Sequence, residues 1–282
     1  MNKWIAGARP RTLPAAIAPV LVATSLAGSE ANFAMAGLAL VVSLALQVGV
    51  NYANDYSDGI KGTDDNRVGP TRLVASSLAS AKSVKQAAFI SFAIAAVVGL
   101  VLAQLTSLWL IAVGAAAIFA AWTYTGGKRP YGYLGLGEIS VFLFFGLVAT
   151  IGSYYVQTER LTWQSFVVAI PMGLLACALL AINNLRDRAQ DELVGKRTLA
   201  VRLGDSGARK LFIGLLLIAH LVTIAIPAEN TLLTLILLPQ TIVIAKKVRE
   251  GATGAALIPL LGKTGQLQLW FAVALSLALV LN

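Results

Sequence analysis

The chain alternates between long apolar runs and short polar joints. About nine apolar segments can be marked, at 12–28, 33–54, 84–103, 107–126, 135–156, 163–183, 210–227, 231–246 and 264–281. Most approach the ~20 residues a helix needs to cross a hydrocarbon layer of ~30 Å. The pattern predicts an all-α, polytopic membrane bundle of about nine transmembrane helices in one domain, 1–282. The run at 231–246 is short. The stretch 251–262 reads either as a re-entrant piece or as the start of a longer final helix.

Composition supports a membrane chain. Of 282 residues, 57% are hydrophobic and only 12% charged, and the mean hydropathy is +0.77. A soluble domain carries about 25% charged residues. Arg9, Pro10, Arg11 and Pro14 interrupt the N-terminal region, so a cleavable signal peptide is not expected. The single Cys177 lies in an apolar run and reads as a small buried hydrophobe, with no intrachain disulfide to form.

A net charge of +9 on a soluble chain would suggest a nucleic-acid partner. On a lipid-embedded chain it sets orientation instead. With the N-terminus in the cytoplasm and the segments alternating, all of the 22 Lys and Arg residues except Arg160 fall on the cytoplasmic side. The expectation is a multi-pass protein of the plasma membrane, without a nucleic-acid partner.

Two polar stretches break the apolar pattern in a related way. At the end of the second segment, Asn51, Asp55 and Asp58 stand at i, i+4 and i+7, on one helical face. At the end of the sixth, Asn184, Asp187 and Asp191 stand at i, i+3 and i+7. Carboxylates at a membrane segment's end are costly without partners. Two such faces turned toward each other would gather four carboxylates and at least two amides. Hard oxygen ligands suit a divalent cation, which can in turn hold an anion. The loops that follow place Lys61, Arg67, Lys196 and Arg197 about 6–10 positions beyond the carboxylates, as a phosphorylated substrate requires. Lys128, in the polar loop Tyr124–Tyr131 on the same side, is a further candidate anion contact. That loop is no P-loop, because the Gly-Lys-Ser/Thr ending is missing.

Other polar features have plainer readings. Asp64 and Asp65 serve either a turn or the metal. Arg72, Lys82, Lys85, Arg202, Arg209 and Lys210 read as orientation charges. Trp4, Trp109 and Trp163 sit where interfacial belts do. His220 reads as packed or hydrogen-bonded, and Phe142, Phe144 and Phe145 either pack or line a lipid-chain tunnel. Glu138 is interfacial or faces the cavity.

At these stretches the sequence resembles the UbiA superfamily of intramembrane prenyltransferases, whose two motifs are broadly Asn-Asp-x-x-Asp-x-x-x-Asp and Asp-x-x-x-Asp. Asp187 and Asp191 match the second. Asn54, Asp55 and Asp58 match the first, whose last Asp would fall at Gly62. Within the superfamily, the stretches Arg9–Ala15, Asn54–Gly59, Arg67–Pro70, Tyr124–Gly127, Tyr131–Glu138 and Gly195–Gly204 are similar to those of the 1,4-dihydroxy-2-naphthoate polyprenyltransferases. After residue 210 only hydropathy is similar.

The resemblance implies a central cavity open to the cytoplasmic side, Mg²⁺ dependence and a place in menaquinone synthesis. The implied reaction transfers the prenyl group of a polyprenyl diphosphate to 1,4-dihydroxy-2-naphthoate, with decarboxylation, to give demethylmenaquinone. Asp55, Asp58, Asp187 and Asp191 would carry the metal. Asn51, Asn184, Lys61, Arg67, Lys128, Lys196 and Arg197 would hold the diphosphate. Two alternatives stay open: a related enzyme with another aromatic acceptor such as 4-hydroxybenzoate, and a secondary transporter.

Overall fold

A computed structural model describes residues 2–63, 69, 72–226 and 229–281. Four of the long helices begin at side-chain caps. Asn32 accepts the N–H groups of Ala34 and Met35, and Ser80, Thr162 and Thr198 each accept the N–H three residues on. Such caps satisfy donors that the first turn leaves orphaned. The helices are α1 (Lys3–Ala8), α2 (Pro14–Ala27), α3 (Phe33–Ile60), α4 (Ala81–Leu105) and α5 (Leu110–Thr123). Then α6 (Gly137–Val141) runs through a π-helical stretch, Phe142–Val148, into α7 (Ala149–Thr158). The chain ends with α8 (Trp163–Leu193), α9 (Leu199–Ile224), α10 (Leu238–Arg249) and α11 (Leu257–Val280). The described secondary structure is all helical, as the pattern predicts.

Seven helices among the described residues are long and apolar enough to cross a membrane. An eighth span results if Lys3–Thr12 and Pro14–Glu30, bent by 52°, count as one. The segment expected at 107–126 appears as the shorter α5, whose 14 residues rise about 21 Å at 1.5 Å each. The ambiguity at 251–262 resolves as a lengthened final helix, because a 3₁₀ turn at Gly254–Ala256 leads straight into α11. The chain is a multi-pass membrane protein.

The two carboxylate-bearing helices occupy equivalent places. Each packs most closely on the helix that follows it, α3 on α4 and α8 on α9, while α2 lies between α7 and α11. The α8 helix is the central one, with 78% of its apolar stretch buried against 22% in α3. Met172, Leu175 and Ile182 meet Phe212 and Leu216 of α9 and Phe271 and Leu275 of α11 in the main core. Gly146 and Gly173 let the π-helical stretch touch α8, since a Cβ on Gly146 would lie 2.5 Å from the Gly173 Cα. Small residues at such crossings let helix backbones approach closely in lipid. Outward-facing Ile90, Val97, Phe119, Leu221 and Ile236 are exposed, as a lipid-facing surface requires.

The ends of the bundle differ in charge. Glu30, after α2, meets Arg160, before α8, at 2.8 Å in an exposed pair. The carboxylates of α3 and α8 lie at the other end.

Candidate active site

The polar ends of α3 and α8 open on one cavity of about 650 Å³. Asn51, Asn54 and Asp58 line it from α3, and Asn183, Asn184, Asp187 and Asp191 from α8. The two helices are joined by one ammonium group. Lys196 Nζ lies 3.1 Å from Asp58 Oδ1 and 3.8 Å from Asp191 Oδ1. The expected meeting of two acidic faces is therefore present for Asp58, Asp187 and Asp191. All three are buried.

Asp55 is placed differently. It is fully buried, and its oxygens accept the N–H groups of Leu73 (2.8 Å) and Val74 (3.1 Å). It does not line the cavity. In this geometry it ties down the Leu73–Val74 turn between α3 and α4.

The cations around the carboxylates are partly the expected ones. Lys196 is buried in the cavity wall. Lys61, exposed and off the cavity lining, donates to Thr125 O at 2.8 Å, and Thr125 Oγ1 in turn donates to Asn54 Oδ1 at 2.8 Å. Burial lowers the pKa of Lys61 below the usual lysine value, and the nearby Asp58 opposes that shift. Lys128 and Arg197 are exposed and stand off the cavity lining. Arg67, Asp64 and Asp65 lie outside the described residues.

Three contributors escape the sequence reading, and a fourth is one that it leaves open. Arg72, taken as an orientation charge, is buried at the cavity, 3.5 Å from Asp58 Oδ2. Arg186 grips both oxygens of Asp187 at 2.7 Å and donates to Asn183 at 2.8 Å. Tyr133 donates its hydroxyl to Asp58 Oδ1. Glu138, left open between two readings, is buried behind the cavity wall and accepts the Asn184 amide at 3.1 Å. The last two lie in the family-like stretch Tyr131–Glu138.

Asn51 spends its amide hydrogens on the N-terminal segment, donating to Ala8 O (2.9 Å) and Thr12 Oγ1 (3.1 Å). Gln47 donates to the same hydroxyl at 3.0 Å. Together they hold Arg9–Thr12 as a cavity wall, with Arg9 in a left-handed backbone conformation (φ 53°).

Away from this polar end the walls are apolar. Leu46, Leu102, Leu110, Phe144, Phe145, Val148 and Val156 line the cavity toward the far ends of their helices. Gly99, Gly114 and Gly152 line it too, and a Cβ on any of them would meet no atom within 4 Å. A charged head and a long greasy tail would each find matching walls.

The donor set suits a hard divalent ion. Asp58, Asp187, Asp191 and the neighbouring amides offer only oxygen ligands. Among the described residues no three His, Cys, Asp or Glu side chains form a ready metal cage. That is compatible with Mg²⁺, which usually binds one or two carboxylates together with substrate phosphates and water.

Comparison with known proteins adds to this geometry. The chain is 50% identical over 281 residues to a 1,4-dihydroxy-2-naphthoate octaprenyltransferase of Mycobacterium tuberculosis, covering 98% of this chain and 96% of that one. It is 41% identical to the Escherichia coli protein of the same name over 232 residues, covering 79% and 75%. Its fold matches a UbiA homolog from Archaeoglobus fulgidus bound to GPP and Mg²⁺, with a TM-score of 0.72 at 13% identity across 100% of both chains. The sequence pattern of the UbiA prenyltransferase family matches residues 16–250. A bundle with paired acidic helix ends over a greasy cavity, and this match along most of its length, place the chain in the UbiA prenyltransferase family.

Proposed function

We propose that this protein transfers the prenyl group of a polyprenyl diphosphate to 1,4-dihydroxy-2-naphthoate, releasing diphosphate and CO₂ and giving demethylmenaquinol, the reduced form of demethylmenaquinone. The observation that carries this reading is the convergence of Asp58, Asp187 and Asp191 with Arg72, Arg186 and Lys196 at the polar end of an otherwise apolar cavity. Relatives at 41–50% identity carry the name of this activity.

Each residue has a part. Asp58, Asp187 and Asp191, with the amide oxygens of Asn51 and Asn184, would hold Mg²⁺ against the diphosphate. Bound Mg²⁺ supplies positive charge that steadies the departing diphosphate. Lys61, Arg72, Arg186 and Lys196 add fixed positive charge at the same oxygens. Charge grows there as the allylic C–O bond breaks, so these contacts strengthen toward the transition state. Lys128 and Arg197, exposed and off the cavity lining, would draw the anionic substrates toward the cavity mouth rather than hold them, and Arg67 keeps its proposed place as a diphosphate contact. Asp55 joins the metal set only by releasing the Leu73 and Val74 N–H groups; otherwise it supports the turn that delivers Arg72. The apolar walls exclude water while the electron-rich naphthol ring captures the allylic carbon.

The same reading puts the polar end on the cytoplasmic face of the plasma membrane, with the N-terminus inside. The concentration of Lys and Arg at that end supports it.

The test uses the purified protein in lipid nanodiscs with a polyprenyl diphosphate. Demethylmenaquinol, read as demethylmenaquinone after oxidation in air, should form with 1,4-dihydroxy-2-naphthoate, cease on chelation, and return with Mg²⁺. The same assay with 4-hydroxybenzoate should give no product. Product from the benzoate alone would change the acceptor, and product from neither would remove the transferase reading. Asp187→Asn should cost roughly 10²–10³-fold in turnover, the scale of one lost transition-state contact.

A further inference from the structure

Tyr133 sits at a junction that the proposed reaction does not by itself require. It lies in the 3₁₀ turn Tyr131–Leu134, between α5 and α6. Its hydroxyl donates to Asp58 Oδ1 on α3, the oxygen that also receives Lys196 at 3.1 Å. Two ammonium groups stand over its ring, Lys61 Nζ at 4.8 Å from the centroid and Lys196 Nζ at 4.7 Å. Its backbone carbonyl accepts the N–H of Arg197 at 2.8 Å. One side chain thus touches the polar ends that follow α3 and α8, both of which carry candidate diphosphate ligands.

The physics of this junction is specific. Two ammonium groups held close together repel, and an aromatic face attracts each of them through its quadrupole. The ring therefore lowers the cost of keeping both cations near one carboxylate. The hydroxyl does a separate job: it fixes the direction in which Asp58 presents its second oxygen. Groups that orient a metal ligand in this way typically change metal affinity 10–100-fold when removed.

We propose that Tyr133 is a positioning residue that sets Asp58 for the metal and spaces Lys61 and Lys196 for the two phosphoryl groups of the leaving diphosphate. This rests on the reading of the polar end as a diphosphate site.

The experiment follows the thermal midpoint of the full-length protein in detergent as Mg²⁺ is titrated with inorganic pyrophosphate present, a readout independent of turnover. The wild-type protein should be stabilised, which tests the diphosphate reading by itself. Tyr133→Phe keeps the ring and loses the Asp58 bond. It should keep the ligand-free midpoint yet need at least tenfold more Mg²⁺ for half the stabilisation. Tyr133→Leu loses the ring as well and should also bind pyrophosphate at least tenfold more weakly at saturating Mg²⁺. If the wild type is stabilised and Tyr133→Phe titrates identically to it, the positioning role is overturned, whatever becomes of Tyr133→Leu. If pyrophosphate with Mg²⁺ does not stabilise the wild type, the diphosphate reading falls, and this inference with it.

Discussion

Asn184 gives its amide hydrogen to Glu138 at 3.1 Å, so the only carboxylate on α6 fixes which way an amide on α8 points. A carboxylate can only accept, which turns the Asn184 oxygen away from Glu138. Glu138→Gln removes that constraint, because the new side chain can donate as well as accept. Activity should fall about 10–100-fold, as for other groups that orient a metal ligand. Circular dichroism and the thermal midpoint should be nearly unchanged. An active Glu138→Gln enzyme with unaltered Mg²⁺ dependence would show that Asn184 needs no such guidance.

Asp55 and Asp58 should separate in their effects. Asp55→Ala leaves the buried N–H of Leu73 and the half-buried N–H of Val74 without their acceptor. The expected loss is on the order of 2–4 kcal/mol, read as a lower thermal midpoint and faster proteolysis near residue 72. Asp58→Ala should leave the Leu73–Val74 turn intact and abolish product formation. Product formation by folded Asp58→Ala protein would contradict this division.

The far half of the cavity should select the length of the donor chain. Gly99, Gly114 and Gly152 stand on α4, α5 and α7, each facing open space. Gly114→Leu would place a side chain in that space. The kcat/KM for a long polyprenyl diphosphate should drop roughly 10–100-fold while that for geranyl diphosphate changes little, in line with what apolar bulk can discriminate. Parallel loss on both donors would mean that the tail leaves the cavity before reaching this level.

The crossing of the π-helical stretch with α8 should resist any added methyl. Gly146→Ala would set its Cβ 2.5 Å from the Gly173 Cα, against backbone rather than a flexible side chain. Overpacking of this kind costs about 1–3 kcal/mol. Thermal melting in detergent measures it, and an unchanged midpoint would show that the two segments can slide apart.

Much of this arrangement was legible from residue order. The apolar runs placed the helices, and spacing on one helical face singled out Asp58, Asp187 and Asp191. The same spacing included Asp55, which instead faces a turn 18 residues later in the chain. Helical periodicity says which residues share a side, but not which neighbour that side meets. Arg186 was hidden for another reason: adjacent residues on a helix do not normally face each other, yet its long side chain folds back on Asp187. Tyr133 and Lys196 reach Asp58 across 75 and 138 positions. Contacts of that separation leave no local pattern to read.

The partners of Asp58 also differ in when they become available during synthesis. Arg72 follows it by only 14 residues, whereas Lys196 is made 138 residues later. A nascent chain threading into the bilayer can therefore neutralise this carboxylate once the α3–α4 connection is made, long before the second half emerges from the ribosome. Arg72 would then act as an escort for Asp58 during biogenesis as well as a neighbour of it in the finished protein.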